Sequence, residues 1–366
     1  MVHDWLPTIG GAERVVMELI SAFPNSELYT LFDFLTDEER RMVTGGRPVH
    51  VSGLNKLPGV AKYYRYLLLQ CSRAIENFDV MAYDAVISSS AALAKGVLTA
   101  PGQPHIAYVH SPARYAWDLT HDYINSLSNQ LSRHLAQRMM HKFRIWDMRT
   151  VAQVDQFVAN SNFIRDRIWK AYRREAEVIY PPVDISAFVP GEGPREEYYF
   201  TASRMVPYKR IEMIAAAFRE RPKLRLMIAG DGPEMARVRA AAGPNVTLLG
   251  HVTFEALRSH MQKARAFVFA AREDFGIVPV EAQAAGCPVI ALGSGGTAET
   301  IRDLSMDRPT GAWFETQTVE SLLSAIDKLE ANYEVVTPEN CRDNALRFSA
   351  ERFRSEIRDC VARVSG

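Results

Sequence analysis

The chain alternates short apolar runs with helix-length amphipathic stretches, and it does so twice. In the first half, residues 85–87, 105–109, 156–158 and 177–180 read as strands. In the second half, residues 198–201, 224–228, 246–249, 267–269 and 289–292 do the same, with helical patterns over 211–220, 234–242 and 253–264. Strands spaced by helices form βαβ units, and these build parallel sheets. Between the halves lie Tyr180-Pro181-Pro182-Val183-Asp184 and Pro190-Gly191-Glu192-Gly193-Pro194. Proline at this density stops both helix and sheet and marks a linker, with a hinge near 181–195. The expectation is an α/β chain of two doubly wound, Rossmann-like domains, 1–183 and 184–346. A length of 366 residues is enough for two such cores. Two doubly wound domains imply a cleft, and ligands of such sheets bind outside the carboxyl ends of the strands.

Composition removes several alternatives. Lys+Arg and Asp+Glu are both 43, so the formal net charge is zero. A dedicated nucleic-acid binder is normally basic, so no nucleic acid is expected as a partner. Cys71, Cys287, Cys341 and Cys360 are far apart and form no CxxC pair. They suggest neither a zinc site nor a disulfide framework and fit a reducing compartment. No apolar run reaches the roughly 18 residues a membrane span needs. Met1-Val2-His3-Asp4-Trp5 lacks the basic and apolar segments of an export leader, so a cytoplasmic location is expected.

The strand ends carry the candidate chemistry. After the short strand Val2-His3, Gly10-Gly11 open a helical pattern, and glycines at a helix start let backbone approach an anion. This is neither GxGxxG nor a P-loop. His110 directly follows an apolar strand that Pro112 stops, which places it at a carboxyl end, where it can contact a sugar or a reacting centre. Arg204 and Lys209 flank a turn that opens a helix, and fixed cations there suit a diphosphate. A solvated basic turn is the ordinary alternative. Gly230-Asp231-Gly232-Pro233 reads as mostly structural. Glu273 follows the 267–269 strand, and Glu281 falls about a turn into the next helix with Phe275 and Gly276 between them. Gly293-Ser294-Gly295-Gly296 opens another helix. A solvated helix-start carboxylate explains either glutamate alone. It does not explain all of these groups at successive strand ends.

On these residues the chain resembles the retaining GT-B glycosyltransferases of glycosyltransferase family 4. The resemblance rests on Gly10-Gly11, Ser203-Arg204 to Lys209, Gly230-Asp231-Gly232-Pro233, and the family's EX7E spacing from Glu273 to Glu281. It covers essentially the whole chain, although the first strand is shorter than the family's usual one. It implies the GT-B fold, with two parallel sheets facing across a cleft and a C-terminal helix (347–366) returning to the first domain. Phe353, Ile357 and Val361 would be its apolar face. It implies that Gly10 and Gly11 approach the donor diphosphate and that His110 contacts the donor sugar near its anomeric centre. Arg204 and Lys209 would neutralise the leaving diphosphate, and Glu273 would hold sugar hydroxyls. Phe275, Gly276, Ile277 and Val278 would line sugar and phosphate. Glu281 would hold the ribose, and Gly250, His251 and Val252 would sit near the base. No DxD-like acidic cluster stands out, so no cofactor and no essential metal are expected, the donor being a substrate.

The segment His110-Ser-Pro-Ala-Arg-Tyr-Ala-Trp-Asp118, with the opening His3-Asp4-Trp5-Leu6, is similar to bacterial mannosyltransferases of O-antigen and exopolysaccharide assembly. That implies an α-mannosyltransferase using GDP-mannose, with a UDP-sugar as the alternative donor. Residues 40–75 hold seven Lys+Arg and no acid. Lys62, Arg65 and Arg73 are interleaved there with Tyr63, Tyr64, Tyr66 and leucines, which suits an anionic membrane surface. Arg133, Arg138, Lys142, Arg144 and Arg149 form a second basic stretch. Amphipathic core helices with solvated faces explain both stretches equally well. The functional expectation is a peripheral enzyme on the inner face of the cytoplasmic membrane, acting on a polyprenyl-diphosphate-linked glycan. A non-catalytic two-domain sugar- or nucleotide-binding protein is the rival from another class; it would not require Arg204, Lys209 and both glutamates at strand ends.

Overall fold

The computed structural model describes residues 1–125 and 127–366. The chain divides into two units, Met1–Pro182 with Glu351–Gly366, and Val183–Ala350. Each is an α/β sandwich about one parallel sheet, as the strand–helix alternation requires.

The first unit has seven strands: β1 (Val2–His3), β2 (Leu28–Thr30), β3 (Val49–Val51), β4 (Val86–Ser90), β5 (His105–Val109), β6 (Gln156–Ala159) and β7 (Ala176–Val178). Their order is β3-β2-β1-β4-β5-β6-β7, and every pairing is parallel. The order reverses between β1 and β4, so the crevice for a ligand opens at their carboxyl ends. One core cluster gathers Val15, Leu19, Tyr108 and Val158 with Phe353, Ile357 and Cys360 of the C-terminal helix Ala350–Ser365. These last three recur at helical spacing, and Val361 packs against the same cluster. Arg352 donates to Tyr180 O (2.7 Å), and Arg354 pairs with Glu18 (2.5 Å). Another cluster joins Val2, Phe32, Leu68, Cys71 and Phe143.

The second unit has six strands: β8 (Glu196–Ala202), β9 (Leu226–Ala229), β10 (Val246–Gly250), β11 (Ala264–Phe269), β12 (Val289–Leu292) and β13 (Gly311–Phe314). Their order is β10-β9-β8-β11-β12-β13, again all parallel, with the reversal between β8 and β11. Its core centres on Tyr199, Phe218, Ile228, Val268 and Phe314. Phe348 stays with this unit, its ring 5.4 Å from that of Phe275, so the returning segment begins at Glu351. Strands β2, β3 and β13 lie outside the sequence-based expectation because each has only three or four residues and carries Thr, His or Gly.

The C-terminal helix is held mainly by burial. Phe353 is fully buried, and Phe→Ala at such a position costs about 3–5 kcal/mol. Phe353→Ala should lower unfolding free energy by that amount in denaturant titration. A loss below about 1 kcal/mol would show that this helix is not part of the first core.

Candidate functional site

In the first unit, the reversal between β1 and β4 is pinned by a carboxylate. Asp4, the residue after β1, is 1% exposed. Its Oδ2 accepts from Ala91 N (2.7 Å) and Ala92 N (2.9 Å), and its Oδ1 from Leu93 N (2.9 Å) and Ala94 N (2.5 Å). Four consecutive amides form an anion-binding concavity of the kind that holds phosphate elsewhere. Here the chain fills it with its own carboxylate. Lys95 follows, fully buried and paired with Asp147. Asp147 also accepts from Trp117 Nε1 (2.7 Å) and Tyr172 OH (2.9 Å). That network anchors the segment after β5, in which His110 is the first residue.

His110 N donates to Ser90 O (2.9 Å), and Asn160 Nδ2, just past β6, donates to His110 O (2.9 Å). The His110 ring meets Tyr108 edge-on at 5.4 Å, and its Nε2 lies 2.8 Å from Ser89 Oγ. Burial, with His3 nearby, pushes the His110 pKa down to about 3, so the ring is neutral at neutral pH. Gly10 and Gly11 start the helix Gly11–Ala22, and Gly10 N donates to Glu13 Oε2 (2.9 Å). Glu13 is itself buried, its other oxygen 3.8 Å from His3 Nε2.

In the second unit, Arg204 follows β8, and Pro207–Lys209 form a 3-10 turn. Arg210, in the left-handed region (φ +54°), then leads into the helix Ile211–Arg219. Lys209 Nζ pairs with Glu273 Oε1, 64 residues away in the loop after β11. The ammonium lies 5.3 Å from the Phe269 ring centroid and 5.4 Å from that of Tyr208. Arg204 is exposed. Gly276 (φ +88°) is the N-cap of the helix Ile277–Ala284. Phe275 is buried, Ile277 and Val278 are half-buried, and Glu281 is 4% exposed.

Glycines draw these loops together. A Cβ on Gly230 (φ +121°) would fall 1.9 Å from Ser203 O, and one on Gly296 would fall 2.2 Å from Phe275 Cα. No side chain fits at either place, so the 203–209 and 273–276 loops are held by backbone contact. Gly230 N also donates to Gly250 O (2.7 Å), whereas His251 is exposed and Val252 half-buried. The residues singled out from sequence thus fall into two groups at strand ends, one in each unit.

The residues expected at a membrane surface divide differently. Lys62, Arg65, Arg73 and Tyr66 are exposed, Tyr66 by 69%, and Tyr63 is half-buried with its OH on Pro58 O (3.0 Å). Tyr64 is a correction: it is 6% exposed and packs against Trp5, Phe32 and Phe34. The 3-10 turn Tyr64–Tyr66 sends it inward, so Tyr64 is a core residue and not a surface contact. Asp4, Ser89, Glu13, Lys95 and Asp147 were missed as site-forming groups. The available signals were an acid directly after a strand and the polar run Ser88-Ser89-Ser90 inside a buried one. Among the described residues no group of three or more His, Cys, Asp or Glu is arranged to hold a metal ion.

Two histidines make stability acid-sensitive. His110 is depressed to about 3 and His105 to about 4, both mainly by burial. The unfolded chain therefore binds more protons than the folded one between about pH 4 and 6.5, and stability falls as pH drops through that window. A melting series should show this slope, and His105→Asn should flatten it. An unchanged slope would show that His105 is not buried as a neutral ring.

Residues 9–187 match the family described as Glycosyltransferase Family 4, and residues 184–348 match Glycosyl transferases group 1. D-inositol 3-phosphate glycosyltransferase of Mycobacterium sp. (strain KMS) is 27% identical over 210 residues, 49% of this chain and 47% of that protein. The GDP-mannose-dependent alpha-(1-6)-phosphatidylinositol monomannoside mannosyltransferase of Mycolicibacterium smegmatis is 31% identical over 212 residues, 50% of this chain and 54% of that one. The chain spans about half the length of the curated relatives it matches. Among solved structures, Anabaena Alr3699/HepE in complex with UDP superposes with a TM-score of 0.70 at 17% identity, over 99% of both chains. The lipopolysaccharide outer core galactosyltransferase WaaB in its apo form gives 0.67 at 15% identity, over 99% of this chain and 98% of that one. At such identities the likeness is one of fold. With the two family matches spanning residues 9–348, the chain belongs to the GT-B glycosyltransferases of the group 1/family 4 type.

Proposed function

We propose that the chain is a retaining α-mannosyltransferase that moves mannose from GDP-mannose to a polyprenyl-diphosphate-linked glycan in bacterial surface polysaccharide synthesis. The observation that carries this is the Lys209–Glu273 pair at the ends of β8 and β11, beside the N-terminus of the helix Ile277–Ala284. A nucleotide sugar is a diphosphate joined to a polyol, and this arrangement offers a cation, a carboxylate and free backbone N–H groups to those parts.

In the proposed reaction the bond from the anomeric carbon to the diphosphate breaks, and its electron pair leaves with the phosphate. The acceptor oxygen bonds to the same face of the carbon, and the acceptor proton passes to the leaving phosphate. Arg204, Lys209 and the helix N-terminus stabilise the charge that develops, which is where such groups contribute most. They take the role a metal ion has in other transferases, so activity should survive a chelator. Gly10 and Gly11 approach the diphosphate, Glu273 and His110 serve the sugar, Glu281 the ribose, and Gly250, His251 and Val252 the base. Phe275, Gly276, Ile277 and Val278 line sugar and phosphate. The relatives named as GDP-mannose-dependent favour the guanine donor. The UDP in the HepE complex favours the second reading, a UDP-sugar.

For the acceptor side, Lys62, Arg65 and Arg73 with Tyr66 face outward. Arg73, Lys142, Arg149, Ile145 and Trp146 line a neighbouring groove of about 550 Å³ between the helices Leu68–Glu76 and Gln130–Val151. Exposed Leu131 and Leu135 continue along the second helix. Cations mixed with exposed aliphatics suit anionic headgroups over an acyl layer. No helix among the described residues is long and apolar enough to cross a membrane, and the proposed attachment is peripheral.

Thermal shift should rise with GDP and GDP-mannose. A rise with uridine compounds alone overturns the mannose donor, and no response to any nucleotide favours the sugar-binding rival. Lys209→Ala should weaken GDP binding about 10–150-fold, the value of one charge-assisted hydrogen bond; unchanged affinity would remove Lys209 from the phosphate site. Replacing Lys62, Arg65 and Arg73 with Gln should release the protein from phosphatidylglycerol vesicles, whereas undiminished binding would make this face a solvated surface only.

A further inference from the structure

Strand β4 ends in Ser88-Ser89-Ser90, and successive side chains of a strand face opposite sides of the sheet. On one side, Ser88 Oγ lies 2.9 Å from His105 Nε2, and His105 Nδ1 lies 3.2 Å from Gln153 O. A carbonyl oxygen only accepts, so the His105 proton is on Nδ1 and the Ser88 hydroxyl donates to Nε2. That histidine is saturated and buried.

On the other side the same logic runs through three residues. His3 stands opposite Ser89 in the parallel register. His3 Nδ1 is 3.1 Å from Ser89 O and 3.1 Å from Ser89 Oγ. The carbonyl again requires a proton on His3 Nδ1, which therefore cannot accept. Ser89 is 2% exposed, and among the described residues the one acceptor left within reach of its hydroxyl is His110 Nε2, at 2.8 Å. The Ser89 hydroxyl then donates to Nε2, and the proton of the neutral His110 ring sits on Nδ1. No described residue bonds that Nδ1. Glu13 faces His3 Nε2 at 3.8 Å and, through Gly10 N, ties this ring to the start of the helix Gly11–Ala22. Tyr108 closes the His110 ring edge-on.

We infer that His3 and Ser89 are positioning residues that lock His110 in its Nδ1–H tautomer, so that it presents one fixed N–H donor to an oxygen of the bound sugar. Only the identity of that oxygen rests on the glycosyl-transfer reading; the tautomer does not. The neutral ring gives a hydrogen bond without giving up a proton, and it asks its ligand for a lone pair. The opposite tautomer would turn a lone pair outward and demand a hydroxyl hydrogen instead.

The test is ring-15N labelling of the nine histidines in the full chain, with His110 assigned by loss of its signals in His110→Asn. Two-bond correlations should show a protonated Nδ1 and an unprotonated Nε2. Ser89→Ala should convert this pattern to a tautomer mixture and lower kcat/KM about tenfold. Ser89→Thr should restore both, and His3→Asn, which keeps an N–H at the Nδ1 position, should outperform His3→Leu. A packing defect alone would not move the tautomer. A protonated Nε2 in the wild type, or an unchanged pattern in Ser89→Ala, overturns the inference. A shifted tautomer with unchanged kcat/KM overturns the donor role of His110. The expected tautomer in a protein that transfers no sugar from any nucleotide would sink the glycosyl-transfer reading and leave the lock standing.

Discussion

The turn after β4, at the carboxyl end of the first sheet, hangs on the Asp4 carboxylate. It gathers four amides from a loop 87 to 90 residues away, at 2.5 to 2.9 Å. Hydrogen bonds to a charged group contribute about 1.5–3 kcal/mol each, and these four share one buried carboxylate. The result is a fixed turn after β4 at the point where strand order reverses. Ser89 and Ser90 lie directly before that turn, and His3 directly before Asp4. Two of the hydrogen-bond neighbours of His110, Ser89 and Ser90, therefore adjoin a turn that this carboxylate fixes. The Lys95–Asp147 pair extends the constraint to Trp117 and Tyr172.

The second unit reaches a comparable rigidity by another route. Its strand-end loops are held by the absence of side chains, at Gly230 against Ser203 and at Gly296 against Phe275. Backbone packed on backbone fixes those loops without using the Lys209–Glu273 pair to do so. This is the reverse of the first unit, where polar side chains are consumed in fixing the loops. In the proposed donor site, diphosphate and sugar would displace solvent from Arg204, Lys209 and Glu273 without rebuilding the loops beneath them.

Much of this was legible in the sequence, and the rest was not for definable reasons. The strands His105–Val109 and Val289–Leu292 are buried on both faces, and residues 106–109 and 289–292 read as unbroken apolar runs. Strand β3, Val-His-Val, is an edge strand with exposed residues and carries no such signal. Lys209 and Glu273 could each be placed at a strand end from local pattern, but their pairing depends on β8 and β11 being neighbours, which is a property of topology. Tyr64 shows the opposite failure. Three tyrosines among basic residues look alike in sequence, and only the 3-10 turn separates the inward ring from the exposed Tyr66. The place of Asp4 directly after a strand was visible, but its partners are backbone amides, to which composition is blind.

Two of the lysine–carboxylate pairs, Lys95–Asp147 and Lys209–Glu273, differ in how much of their bonding capacity the fold already uses. Lys95 and Asp147 are both buried, and Asp147 receives three donors: the ammonium, an indole N–H and a phenol. Lys95 also donates to Ala92 O (3.3 Å) and lies 5.2 Å from the Tyr172 ring centroid. Opening that pair would leave a charge buried without a partner, at a cost of about 3–5 kcal/mol. Lys209 and Glu273 are 14% and 23% exposed. The bond between them uses one of three ammonium protons and one of two carboxylate oxygens. A diphosphate can recruit the remaining protons, and a sugar hydroxyl the remaining oxygen, without either charge ever being left alone. On the proposed reading, such a pair already has the direction and partial desolvation that binding requires, so little has to be rearranged when a nucleotide sugar binds.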